Sequence, residues 1–243
     1  MQRRHRDAHA PRRVAGRVRT AVAVLLLWLG PAAAARAQGS PDGQLWFQAL
    51  AIGQLSEAWR AHLEGQPRVF DSASELGLTI VRGAVGRRLG ARSVLWAGYA
   101  WVPRTFGPGV RHETRVWQQF TASAPPVAGW TASTRLRLEQ RRLDPWDGTS
   151  HRLRILGRAQ RRFGASPWGF GFYNETMLTL DDTARGPERG FDRNRFYTGV
   201  LRQLSPTFST ELGYIWEHAA TGGPGRRDDH ALMSVVNIAF SRR

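Results

Sequence analysis

The 243-residue chain has no cysteine and no lysine. Without cysteine there is no disulfide framework, no thiolate metal site and no lipidated cysteine anchor. Without lysine, all 35 basic residues are arginine, against 19 acids, for a formal net charge of +16. That uniformity reflects GC-rich coding more than chemistry. Long apolar runs are scarce: mean hydropathy is −0.40, and the longest run is AVAVLLLWL at 21–29. A helical membrane bundle, which needs several runs of about 20 apolar residues, is therefore excluded. From residue 44 onward no amphipathic helical pattern stands out.

The one apolar run belongs to an expected export signal. Seven arginines precede it, Gly30-Pro31 breaks it, and Ala35-Arg36-Ala37 fits a small-x-small cleavage site. Nine apolar residues are too few for a spanning helix. Residues 1–37 are read as a signal peptide removed near Ala37, and 38–243 as one domain. Removing the leader takes away eight arginines and Asp7, which lowers the charge excess and weakens any nucleic-acid reading.

The remainder reads as strands. Segments of ten to fourteen residues with period-two patterning are separated by Gly, Pro, Ser and Asp clusters. Eleven candidates fall at 44–53, 59–70, 76–87, 93–102, 113–123, 130–142, 151–162, 168–180, 195–204, 208–218 and 230–240. Within 131–141, Arg135, Arg137, Glu139 and Arg141 share the odd face while Leu136 and Leu138 share the even one. Within 152–160, Arg152, Arg154 and Arg158 oppose Leu153 and Ile155. Successive side chains point to opposite faces, so one face is charged and the other apolar. A soluble barrel of lipocalin type turns the apolar face inward; a membrane barrel turns it outward to lipid.

Strand length, loop pattern and aromatic placement favour the membrane arrangement. A tilted spanning strand needs about 9–11 residues, twice the common sandwich strand. Short connections (55–58, 89–92, 125–128, 164–167, 205–207) alternate with longer ones (103–112, 143–150, 181–194, 219–229), as periplasmic turns alternate with outer loops. Trp46, Trp59, Tyr99, Trp101, Trp130, Trp168, Tyr214 and Trp216 are candidates for the interfacial girdles. Tyr99-Ala100-Trp101 and Tyr214-Ile215-Trp216 repeat a Gly-Tyr-x-Trp core that puts Tyr and Trp on one face. Val236, Ile238 and Phe240 form the closing strand that barrel-assembly machinery reads. The expected fold is a closed antiparallel up-and-down transmembrane β-barrel of about 10–12 strands. Even strand number is the rule for bacterial barrels, and eleven candidates break it. Either one segment is not a strand, or the N-terminal segment runs through or beside the lumen.

Several stretches carry a family resemblance: QLW at 44–46, WAGYAWVP at 96–103, HETRVWQQF at 112–120 and RLRLEQR at 135–141. Residues 152–156, GFDRNR at 190–195 and ELGY at 211–214 continue it in order. In these the chain resembles the bacterial domain-of-unknown-function family 2490, exported proteins of Proteobacteria. The resemblance implies an outer-membrane barrel and no particular activity.

The expected inward set is Arg115, Arg135, Arg137, Glu139, Arg141, Arg152, Arg154, Arg158, Glu175, Arg195, Glu211 and Glu217. It reads either as a lumen that attracts anions or as a salt-bridged plug, since narrow barrels are packed inside. Arginines on adjacent strands would repel unless acids such as Glu113, Glu175 and Glu211 interleave. Besides the soluble periplasmic lipocalin-like barrel, which would bind an apolar ligand, the alternative is a lipid-modifying outer-membrane barrel enzyme. Its rim candidates are His112 with Glu113, His151 with Ser150 and Asp147, and His218 with Glu217. Adjacent strand residues face opposite ways, so Ser150 is a poor partner for His151, and no nucleophile motif surrounds any of them. Asp181-Asp182 and Asp228-Asp229 could hold a divalent cation, and Arg185, Arg189, Arg193, Arg226 and Arg227 could touch lipopolysaccharide phosphates. Neither pattern is specific. The expectation is a structural or solute-transporting barrel with no catalytic residues, cofactor or metal, in contact with outer-membrane lipid and lipopolysaccharide.

Overall fold

The computed structural model describes residues 43–70, 72–106, 109–144, 148–183, 188–220 and 226–241. The expected leader, Asp147 and Arg185 lie outside them. Among these described residues eleven strands form one closed barrel: β1 (Gly43–Gln54), β2 (Trp59–Phe70), β3 (Glu75–Arg88), β4 (Ser93–Phe106), β5 (Gly109–Ser123), β6 (Trp130–Leu143), β7 (Ser150–Arg162), β8 (Trp168–Thr179), β9 (Gly190–Ser205), β10 (Phe208–Ala220) and β11 (Arg226–Ser241). Every sequence neighbour pairs antiparallel, and β1 closes the wall against β11 in parallel.

The expected closed barrel is thus present, with one parallel pair in an otherwise antiparallel wall, and that pair explains the broken parity. Chain direction reverses at each hairpin, so the first and eleventh strands must run the same way. Neither of the two escapes from the parity rule is taken. All eleven segments are strands, and β1 is a wall strand with twelve paired positions, from Gly43↔His230 to Gln54↔Ser241. The seam is tight where Phe240 lies over Gly53, because a Cβ on Gly53 would meet that ring at 2.1 Å.

Strand ends differ from the sequence reading mainly at one rim. β4 and β5 run on to Phe106 and Gly109, so the expected loop at 103–112 is a short hairpin. β9 and β11 likewise begin earlier, at Gly190 and Arg226. Backbone pairing extends these strands through charged segments, where hydrophobic periodicity gives no signal. Following paired residues around the wall from Gln54 leads to Arg227, three positions before the partner of Gly43. The circuit thus returns displaced by about 14 residues, the kind of stagger that tilts strands in a closed barrel.

The faces sort as a membrane barrel's do. Leu136 and Ile155 sit opposite each other on the outside, 43% and 41% exposed. Val81, Val116, Val200, Leu212 and Leu232 join them in the outward apolar band. Arg137, Glu139, Arg152 and Arg154 are buried within. A lipocalin-type arrangement would have the reverse. Tyr99, Trp101, Tyr214 and Trp216 face outward as the repeat implied, and Trp59 and Trp168 do so near the opposite rim. Trp46 does not: it is buried in the lumen, which removes it from the girdle. Its even position on β1 already matches Gln44 and Gln48, and a bulky indole fills interior space that those side chains leave.

Two apolar clusters also lie inside. One joins Leu78, Ile80, Trp96, Ala100, Val102 and Trp117; the other joins Trp46, Tyr197, Ile215, Ala231, Met233 and Val235. Gly98 makes room for the first, because a Cβ there would stand 2.5 Å from both the Gly83 carbonyl and the Trp117 ring. Backbone cannot yield as a flexible side chain can. Gly98→Val is therefore expected to cost about 1–3 kcal/mol, read as a lower urea midpoint of the refolded barrel.

Candidate functional site

The lumen is organised around cross-strand charge pairs. Glu139 on β6 faces Arg152 on β7, Glu175 on β8 faces Arg195 on β9, and Arg195 faces Glu217 on β10. Direct opposition brings side chains within reach of each other, and alternation aims all of them inward. The guanidinium groups then bridge sideways. Arg152 reaches Glu139 at 2.6 Å and Asp192 at 3.0 Å; Arg154 reaches Glu139 at 2.9 Å and Glu175 at 2.8 Å. Arg195 contacts both Glu175 and Glu217, and Arg193 contacts both Glu217 and Asp192.

These contacts close a ring of four carboxylates alternating with four guanidiniums: Glu139, Arg154, Glu175, Arg195, Glu217, Arg193, Asp192, Arg152 and back to Glu139. Arg135 binds Glu175 at 2.5 Å from outside the ring, and Arg137 lies 3.6 Å from Glu139. Arg115 links Glu139 to Glu113, which also holds Arg141 at 2.6 Å and Arg104 at 3.0 Å. Arginine suits this lattice because its planar fork spans two carboxylates with fixed geometry. The directly opposed Arg137 and Arg154 coexist because Glu139 lies between them, as interleaved acids require.

Ten of the twelve inward residues expected from the sequence thus belong to one network. Arg158 and Glu211 stand apart as a second pair at 2.8 Å, with Asn237 and Tyr197 also donating to Glu211. The sequence reading missed Glu64, Arg68, Arg82, Arg104, Asp192 and Arg193 as lumen residues. On β2 the signal was present: His62, Glu64, Gln66 and Arg68 alternate with Ala61, Leu63, Gly65 and Pro67. Arg82 and Arg104 are lone charges among apolar neighbours and give no pattern.

The lattice does not fill the barrel. A cavity of about 520 Å3 runs along the lumen, lined from all eleven strands. It extends from Ser123 and Ser133, beside one hairpin, to Arg104 and Arg227 near the other rim. Among the described residues its wall carries twelve arginines and four glutamates. The imbalance has a structural cause. Glu113, Glu139 and Asp192 are sunk behind the guanidiniums that bind them and do not reach the cavity. The plug and the anion-attracting lumen are therefore not exclusive: charge pairing rigidifies the wall and leaves a basic surface facing the void.

The rim groups make other contacts. Ser150 is buried inside the wall, while His151 points outward and pairs with Asp181 at 2.5 Å. Burial pushes the Asp181 carboxyl up, but hydrogen bonds from the His151 ring and backbone N–H outweigh it and hold it below its ordinary value. Asp182 accepts from the Arg189 backbone, and Asp228 accepts from both Trp216 and His218. His112 stacks on Trp101. Among the described residues no three His, Asp or Glu side chains gather as a metal-holding group.

A family described as "Protein of unknown function (DUF2490)" matches residues 43–227, most of the chain and nearly the whole wall. The chain belongs to the DUF2490 family. A relative, an uncharacterized protein of Methylorubrum extorquens, is 32% identical over 219 residues, covering 86% of this chain and 93% of its own. Among solved structures, the NanC porin in a rhombohedral crystal form is similar at 10% identity with a TM-score of 0.47. That match covers 79% of this chain and 94% of the porin.

Proposed function

We propose that the protein is exported, loses its leader near Ala37, and resides in a bacterial outer membrane as a barrel whose lumen admits small anions. The assembly machinery for outer-membrane barrels would receive it through the closing strand, and lipid and lipopolysaccharide would surround the outward apolar band. The observation that carries the reading is the cavity wall, with arginine in threefold excess over acid. Rings of basic side chains lower the barrier for anions and raise it for cations. In a lumen walled from bulk water these fields are screened less than at an open surface.

Planar-bilayer recording of the refolded protein under a potassium chloride gradient tests this directly. The expected result is a steady conductance whose reversal potential has the sign of chloride preference. Absence of conductance, or a cation-selective current, overturns the reading.

A further inference from the structure

Arg68 differs from the other buried arginines of the lumen. It is 6% exposed, lines the cavity, and makes no ion pair among the described residues. Its Nε and Nη2 donate to the Gln66 side chain at 3.1 and 2.7 Å, and its guanidinium lies 3.5 Å over the Trp46 ring. Those contacts fix the group and leave Nη1 without a protein acceptor among the described residues. The charges that bear on it most are Arg195, Glu217, Arg193 and Arg154, three cations to one anion. Both acceptors of Glu217 are already engaged by Arg193 and Arg195. A buried cation held rigid, beside like charges and without its own counter-ion, is a site that lacks an anion.

The surroundings specify which kind. Trp46, beneath Arg68, belongs to the apolar cluster with Tyr197, Met233 and Val235, and Tyr173 stacks on Tyr197 at 4.9 Å. All five of these side chains line the same cavity as Arg68. Extending the anion-admitting reading on which it rests, we propose that Arg68 and this aromatic wall form a binding site for a small organic carboxylate. The carboxylate takes the guanidinium edge, and its apolar or aromatic body lies against Trp46, Tyr173 and Tyr197.

The site is tested by calorimetry on the refolded full chain in detergent, with benzoate, acetate, inorganic phosphate and benzylamine as probes. Benzoate is expected to bind saturably and at least about tenfold more tightly than acetate or phosphate, because only it buries an apolar ring. Benzylamine is expected not to bind. Arg68→Met, which keeps contact with Trp46, is expected to weaken benzoate by about tenfold or more. Arg68→Lys, which keeps the charge but not the planar fork, is expected to weaken it severalfold. The site is overturned if wild-type protein shows no saturable benzoate binding. It is equally overturned if phosphate binds as well as benzoate, or if affinity is unchanged in whichever variant refolds. Conductance of the same preparation separates the two readings. An anion-selective barrel whose benzoate binding is absent or indifferent to Arg68 overturns this site alone, whereas a cation-selective lumen overturns the broader reading.

Discussion

Glu139→Gln is expected to destabilise the folded barrel by about 3–5 kcal/mol, the cost of removing one partner from a buried charge cluster. Glu139 is fully buried, contacts four guanidiniums, and does not touch the cavity. Water therefore cannot take over when its charge is removed. Three of those arginines keep a second carboxylate: Arg115 has Glu113, Arg152 has Asp192 and Arg154 has Glu175. Arg137 has none among the described residues. Its remaining contacts are a hydrogen bond to Gln119 at 2.7 Å and the Trp117 ring 4.4 Å away. Most of the expected loss is therefore the exposure of Arg137 to the charges of Arg82, Arg135 and Arg154. Adding Arg137→Met to Glu139→Gln is then expected to recover more than half of it, since coupled neighbours are not additive. Equilibrium urea unfolding of the refolded protein in lipid vesicles gives both values. A loss below about 1 kcal/mol for Glu139→Gln, the level of exposed ion pairs, shows a lumen wet enough to screen its own charges.

The strand pattern was readable because the inward face is so strongly charged. Along 135–141 of β6 and 152–155 of β7 the arginines fall on one parity and the aliphatic residues on the other, and the structure places those parities inside and outside as a membrane barrel requires. Closure was not readable. Period-two patterning shows which face each strand presents but not which strand it meets, and β1 looks like any other strand. Parallel pairing follows from counting eleven, which needs every segment to be a strand. Six of the eight charges of the ring were visible. Glu139, Arg152, Arg154, Glu175, Arg195 and Glu217 follow from alternation. Asp192 and Arg193 were hidden because GFDRNR reads as a loop, yet pairing carries β9 back to Gly190. Trp46 misled for a related reason. Aromatics near strand ends suit a girdle, but parity decides their side, and Trp46 shares its parity with Gln44 and Gln48.

Leu136→Arg is expected to cost about 2–4 kcal/mol in lipid vesicles, the penalty for a charge on the lipid face near the bilayer midplane. Leu136 sits midway along β6, outward, between Phe120 on β5 and Ile155 on β7. Its chain neighbours Arg135 and Arg137 point the other way, so the substitution cannot join the inner lattice. At the inward Leu156, opposite Glu175, an arginine has a carboxylate within reach and water in the cavity. Leu156→Arg is therefore expected to cost less than about 1 kcal/mol. The contrast isolates the surrounding medium from any general intolerance of the strands to charge. In a barrel surrounded by water the order reverses: Leu136→Arg would replace exposed apolar surface by a hydrated charge and cost about nothing. A Leu136→Arg barrel within about 0.5 kcal/mol of wild type, measured by reversible urea unfolding in vesicles, removes lipid from the outside of this molecule. It takes with it the reason for sequestering the arginines within.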